Sequence, residues 1–180
     1  MWNSMPESSN IYDEALKEID LLITSLNANS DRAWSEADTR VKFIDPLLTK
    51  VLGWNEIDNI KREENYVEDE QKRCIDYTIS MAEPLLIVEA KKNQIDFEIP
   101  IATDLINYSL NGVMTNWSNA WAAVKQVREY CDQKGAKYAM ATNGRQFIVF
   151  KAISERGHWS KGHALVLASP AALGKVFKSP

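Results

Sequence analysis

The sequence predicts an α/β fold, a mixed central sheet flanked by helices. Three observations carry that expectation. Elements alternate along the chain as helix, helix, strand, hairpin, helix, strand pair and strand, the order of a layered α/β architecture. The run Leu85-Leu86-Ile87-Val88 is apolar without interruption, as in a strand covered on both faces. Three longer stretches repeat apolar residues at helical spacing.

The first helix is expected over residues 10–26. Ile11, Ala15, Ile19, Leu22 and Leu26 mark its apolar face, and Asn27-Ala28-Asn29-Ser30 ends it. A second begins at Ser35, where Ser35-x-x-Asp38 forms a capping-box-like start. Val41, Ile44, Leu47, Leu48 and Val51 give its buried face and Gly53 its stop. Pro46 lies inside that pattern and predicts a kink or local break. Residues 60–66 read as a charged edge strand, and 68–72 as a polar turn. Next comes a hairpin, Arg73 to Met81 and Pro84 to Lys92, turning at Ala82-Glu83. In its first strand Ile75, Tyr77 and Ile79 alternate with Asp76, Thr78 and Ser80.

Residues 93–116 are apolar but irregular; a helix is expected from about Pro100 to Leu110, with proline at its first position. The third amphipathic helix spans residues 116–133, with Trp117, Trp121, Val124, Val127 and Cys131 on one stripe and Gly135 as its cap. Strands follow at 137–142 and 146–152 around an Asn143-Gly144 turn. A last strand at 164–168 and a short helix from Ser169-Pro170 complete the chain.

Composition excludes several classes. With 180 residues, 45% hydrophobic and 26% charged, the chain suits one domain with a sizeable core. No apolar run reaches membrane-spanning length, and the N-terminus lacks a basic-then-apolar leader, so a cytoplasmic protein is expected. Cys74 and Cys131 read as reduced structural thiols. His158 and His163 have no neighbouring Cys or acid cluster, which argues against zinc. There is no Gly-rich phosphate loop and no GxSxG elbow. The formal net charge of −4 is neutral evidence about nucleic acid. Lys61-Arg62, Lys72-Arg73, Lys91-Lys92, Lys125, Arg128, Lys137 and Arg145 are candidates for a local basic surface.

The chemistry-bearing residues sit in the hairpin. Strand alternation puts Glu89 and Lys91 on one face with Ala90 opposite. An antiparallel partner brings Asp76 alongside Glu89. Two carboxylates at the end of a buried strand form a hard-oxygen site suited to Mg²⁺, with Mn²⁺ able to substitute. Such a cation polarises a phosphodiester and acidifies water, while an ammonium stabilises developing charge. A Glu-x-Lys triplet alone arises by chance roughly once in a few hundred residues. Glu70-Gln71-Lys72 is a second copy, in polar surroundings. Glu89 and Lys91 differ because four apolar residues precede them, and a charge pair closing a buried strand needs a partner or a purpose. An ion pair at the sheet rim is the competing reading.

Asp76, followed by Glu89-Ala90-Lys91, resembles the PD-(D/E)xK nuclease superfamily. Three further motifs resemble the N-terminal nuclease domain of type I restriction enzyme R subunits (HsdR) and related defence nucleases. They are Ser35-Glu36-Ala37-Asp38-Thr39-Arg40 with Phe43-Ile44-Asp45-Pro46-Leu47-Leu48 and Leu52-Gly53-Trp54, then Gln126-Val127-Arg128-Glu129-Tyr130, then Thr142-Asn143-Gly144. The resemblance implies a restriction-endonuclease-like αβββαβ core. It covers most of residues 31–152, so a nuclease domain is expected over residues 31–169, after an N-terminal helical extension (1–30) that matches none of these motifs; the tail (170–180) is expected either to lead to further domains in a longer protein or to end a stand-alone defence effector. It implies a Mg²⁺-dependent DNA endonuclease in restriction or anti-phage defence. Asp76, Glu89 and the Ala90 carbonyl would hold the metal, Lys91 would serve catalysis and Glu36 would face the metal site. Gln126 and Tyr130 would support the site or contact the substrate. DNA, a motor or sensor ATPase domain or subunit, and specificity subunits are the implied partners.

Taken from the residues alone, Glu36 also reads as simple complement to a helix dipole, and Gln126 with Tyr130 as an exposed Gln and a packed Tyr. Two non-enzymatic alternatives stand beside the nuclease. One is an inactive nucleic-acid-binding or assembly module of the same fold. The other is an interaction domain in which the acids are structural ion pairs and the Trp-rich 117–121 segment faces a partner.

Overall fold

The computed structural model describes residues 8–68, 70–100, 106–154 and 157–178. A seven-stranded sheet runs through the molecule. Its strands are β1 (Ile60–Glu68), β2 (Gln71–Ser80), β3 (Pro84–Ala90), β4 (Asn107–Ser109), β5 (Tyr138–Thr142), β6 (Phe147–Lys151) and β7 (His163–Leu167), in spatial order β1-β2-β3-β5-β6-β7-β4. Among the described residues only β3 and β5 pair in parallel. The crossover between them includes α3 (Ser118–Lys134), which covers one face. The other face carries α1 (Ser8–Ala28), the helical run that starts with α2 (Glu36–Thr39), and α4 (Pro170–Lys178). This is the expected mixed sheet flanked by helices; the expected helix, three strands, helix, strand order is interrupted once, by the short strand β4 between β3 and α3.

Each face has its own core. Val124, Val127 and Cys131 of α3 pack on Ile87, Ala139, Ala141, Ile148 and Phe150. Ile19, Leu22 and Leu26 of α1 join Ile44, Leu48, Val88, Met140 and Phe147 on the opposite side. Burying each such aliphatic or aromatic side chain contributes about 1.5–3 kcal/mol. Ile11, placed on the apolar face of α1 by its spacing, is instead 58% exposed; it stands one turn and more beyond the part of α1 that the core covers.

The second helix departs from ideal geometry. After α2 the chain runs through π-helical turns at Arg40–Ile44 and Leu47–Val51, either side of Pro46. Proline removes an N–H donor and crowds the carbonyl four residues back, and a wider turn relieves both. The predicted break is therefore a widening. It also rotates the helix face: Phe43, Ile44, Leu47, Leu48 and Val51 are buried, whereas Val41, expected inside, is 66% exposed. The predicted start holds, with Ser35 Oγ accepting from Asp38 N at 3.0 Å.

Two further expectations change. Residues 107–109 form β4 on the edge of β7, with Tyr108 edge-on to Trp117 at 5.1 Å, rather than the end of a helix; Pro100, Ile106 and Leu110 are not helical either, and the rest of the expected 100–110 helix, 101–105, lies outside the described residues. The expected polar turn at 68–72 is shorter, because Gln71 and Lys72 already pair with β1. The simple alternation predicted in β2 also fails. Tyr77 and Ile79 face the α1–α2 core, but Ile75 joins the α3 core. The phase slips at Asp76, where β1 places Glu63 in a left-handed conformation, φ 53°. Asp76 and Thr78, the polar members of the alternation, are buried at 7% and 2%, because the sheet is covered on both faces.

Candidate active site

The last paired position between β2 and β3 is Tyr77 with Val88. One step further stand Asp76 and Glu89, 7% and 4% exposed. β3 ends at Ala90 because Lys91 turns out of the sheet, its N–H still bonded to Thr142 O at 2.8 Å. The Lys91 ammonium swings back and donates to Glu89 Oε1 at 2.6 Å and to Gln126 Oε1 at 2.8 Å. Gln126 Nε2 in turn donates to the Tyr130 hydroxyl at 2.8 Å. Gln126 and Tyr130 lie one turn apart on α3, and Tyr130, 3% exposed, meets Tyr66 of β1 edge-on at 5.9 Å. The structure thus joins Asp76, Glu89, Lys91, Gln126 and Tyr130 in one continuous cluster.

Asp76 is tied down at both oxygens. Its Oδ2 accepts the Ala90 N–H at 2.7 Å, and its Oδ1 accepts from Arg40 Nη1 at 3.1 Å. Arg40 extends its other arm, Nη2, to Glu63 Oε1 at 2.6 Å. Arg40 and Glu63 escaped the sequence reading. A signal existed: Arg40 follows Glu36 by four residues, one helical turn on the same face.

The electrostatics are those of a crowded acid pair. Burial, followed by the charge of Asp76, raises the Glu89 pKa to about 7, against the pull of Lys91. Burial likewise raises Asp76, opposed by its bond to the Ala90 N–H. The charge of Glu36 adds to both shifts. Glu36, half-exposed at the start of α2, therefore stands within electrostatic reach of the pair. Among the described residues no group of three His, Cys, Asp or Glu side chains is gathered tightly enough to form a metal cage.

A divalent cation fits what is present. Glu89 Oε2 is buried and has no hydrogen-bond partner, a costly state for a carboxylate oxygen unless a cation or proton meets it. Asp76 beside it supplies a second hard donor, and the Ala90 carbonyl lies on the same short stretch of chain.

Three residues of the predicted basic surface are paired within the protein. Arg62 is paired with Asp45 and Glu56, Arg145 donates to the Ser30 carbonyl, and Arg128 pairs with Asp132 over the Trp159 ring. The Asn143-Gly144 turn is a structural clamp. Asn143 Nδ2 donates to Ile95 O and to Gln146 Oε1, and Gln146 Oε1 also accepts the Phe97 N–H. These bonds fix the chain that leaves Lys91.

No family model and no curated protein matches the chain. Among solved structures it is similar to a fragment described as a "putative HsdR subunit of a type I restriction enzyme from Vibrio vulnificus YJ016". The identity is 20% and the TM-score 0.44, over 79% of this chain and 25% of that one. The chain thus spans about a quarter of that solved chain's length, and a likeness this loose carries no argument about activity.

Proposed function

We propose that this chain is a metal-dependent DNA endonuclease domain that hydrolyses phosphodiester bonds. One observation carries the reading. Two buried carboxylates, one with an oxygen lacking any partner, share a strand end with a lysine held at hydrogen-bond distance. Asp76, Glu89 and the Ala90 carbonyl would hold Mg²⁺ or Mn²⁺, which when bound polarises the phosphodiester and activates water for in-line attack. Lys91 supplies a positive charge for the developing phosphorane. Its position is fixed by Glu89 Oε1 and Gln126 Oε1, and Tyr130 fixes the Gln126 amide in turn. Glu36 would hold a second cation or its water. The resemblance of the sequence motifs to R-subunit nucleases supports restriction or anti-phage defence in the cytoplasm, with a motor or sensor ATPase and specificity subunits as partners. Among the described residues no helix is long and apolar enough to cross a membrane.

One observation favours the inactive-module alternative. Arg40 pairs with Asp76 at 3.1 Å, as in a structural ion pair. Plasmid cleavage separates the two readings. The wild-type chain should nick DNA with Mg²⁺ or Mn²⁺ and stop in chelator. Lys91→Ala should lose about 100-fold or more in rate, the scale of removing one transition-state donor. Metal-dependent cleavage left unchanged in Lys91→Ala would overturn the assignment of the chemistry to this site, and wild-type cleavage that survives chelator would overturn the metal-dependent reading.

A further inference from the structure

A cavity of about 300 Å³ opens on the α2 side of the carboxylate pair, bordered by Arg40, Asp45, Arg62, Glu63 and Tyr77. Its two arginines are built alike. Arg40 is anchored inward on Asp76, and its other arm reaches Glu63, whose side chain is 61% exposed. Arg62 is anchored on the half-buried Asp45 at 3.0 Å and reaches Glu56, 64% exposed, at 3.0 Å. In each case an inner carboxylate fixes the guanidinium and an outer one takes a second nitrogen. Exposed carboxylate pairs are weak, and a phosphate offers the same fork a better match with more acceptor oxygens. The backbone contributes as well. Glu63 occupies the left-handed region, φ 53°, which costs a residue with a Cβ on the order of 1 kcal/mol. That conformation occurs in the strand position opposite Asp76, where Glu63 meets Arg40. On the cavity wall the buried Tyr77 hydroxyl has no partner at hydrogen-bond geometry.

We infer that this cavity is a subsite for a backbone phosphate of the DNA strand beside the scissile bond. Arg40 and Arg62 are its receivers, and the Glu63 and Glu56 carboxylates stand in for phosphate oxygens in the DNA-free protein. The inference rests on the nuclease reading and adds a binding site to it. DNA entering the cavity displaces the two outer carboxylates, and the inner anchors keep both guanidinium groups in place.

The test is binding of a labelled DNA duplex by anisotropy in chelator, where no cleavage occurs. Arg62→Gln and Arg40→Gln should each weaken binding about 3- to 10-fold and flatten the dependence of log K on log salt by roughly one. Glu63→Gln and Glu56→Gln should each tighten binding about 3- to 10-fold. Asp20→Asn on α1, which changes the net charge equally, should do nothing. The Glu63→Gln gain should vanish in the Arg40→Gln background. Should Arg40→Gln fail to fold, as judged by thermal unfolding, the Arg62, Glu63 and Glu56 variants still decide the matter. Equal tightening by Asp20→Asn, or a Glu63→Gln gain that survives without Arg40, would overturn the subsite. A wild type that binds DNA while every variant matches it would overturn the subsite and leave the nuclease reading standing. A wild type that binds no DNA would sink both.

Discussion

Glu89 holds an ionisable group in a buried position, 4% exposed, and the consequence is readable in pH. Its pKa in the folded chain is about 7, above the ordinary 4.5. Between those values the folded state keeps a proton that the unfolded chain has lost. Stability therefore falls as pH rises through that window and levels off above it. The total is of order 3 kcal/mol. Metal-free protein should melt lower at pH 8 than at pH 5, and Glu89→Gln should abolish most of that difference while raising the melting temperature at pH 8. A Glu89→Gln protein with the wild-type pH profile would contradict the assignment. Because a cation competes with that proton, Mn²⁺ affinity should rise with pH up to about 7. Asp76, Glu89 and Lys91 were all legible at this scale, since an acid closing an apolar run is anomalous by itself. Glu63 was not, and for Arg40 its spacing from Glu36 was the one signal. The sequence shows a charged helix and a charged edge strand, and only the phase slip at Asp76 brings them together.

At the scale of the element, α3 connects the site to the sheet edge. Lys91, Gln126, Tyr130 and Tyr66 form a chain of contacts from β3 through α3 to β1. Gln126→Ala removes an acceptor from the Lys91 ammonium and should cut kcat about 10-fold with little change in KM, measured on a plasmid substrate. Tyr130→Phe keeps the packing and loses one hydrogen bond, about 1 kcal/mol, so its effect should be smaller. The turn after β5 is a second such device. Gly144 has φ 82°, and a Cβ there would meet Thr39 Cγ2 at 2.8 Å. Gly144→Ala should cost about 1–3 kcal/mol in denaturant unfolding, because the hairpin would be pushed off the end of α2. Helix starts, stops and the β5–β6 turn could be read from caps and glycines. The π-widening around Pro46 could not, so Val41 was assigned to the wrong face. β4 was missed because three residues on a sheet edge carry no period of their own and depend on β7.

Over the whole molecule, the α/β architecture was legible because long amphipathic helices and one doubly buried strand leave few alternatives. The chemistry is local to one strand end, but cleavage in a longer assembly can depend on parts outside this chain. Metal binding needs no partner. Calorimetric titration with Mn²⁺ at pH 7.5 is therefore the measurement to make, wild type beside Glu89→Gln. Saturable binding in the wild type, lost or weakened at least about 10-fold in the variant, is the expected result. Equal binding by both proteins, or none by either, would contradict the claim that Asp76 and Glu89 form a metal centre.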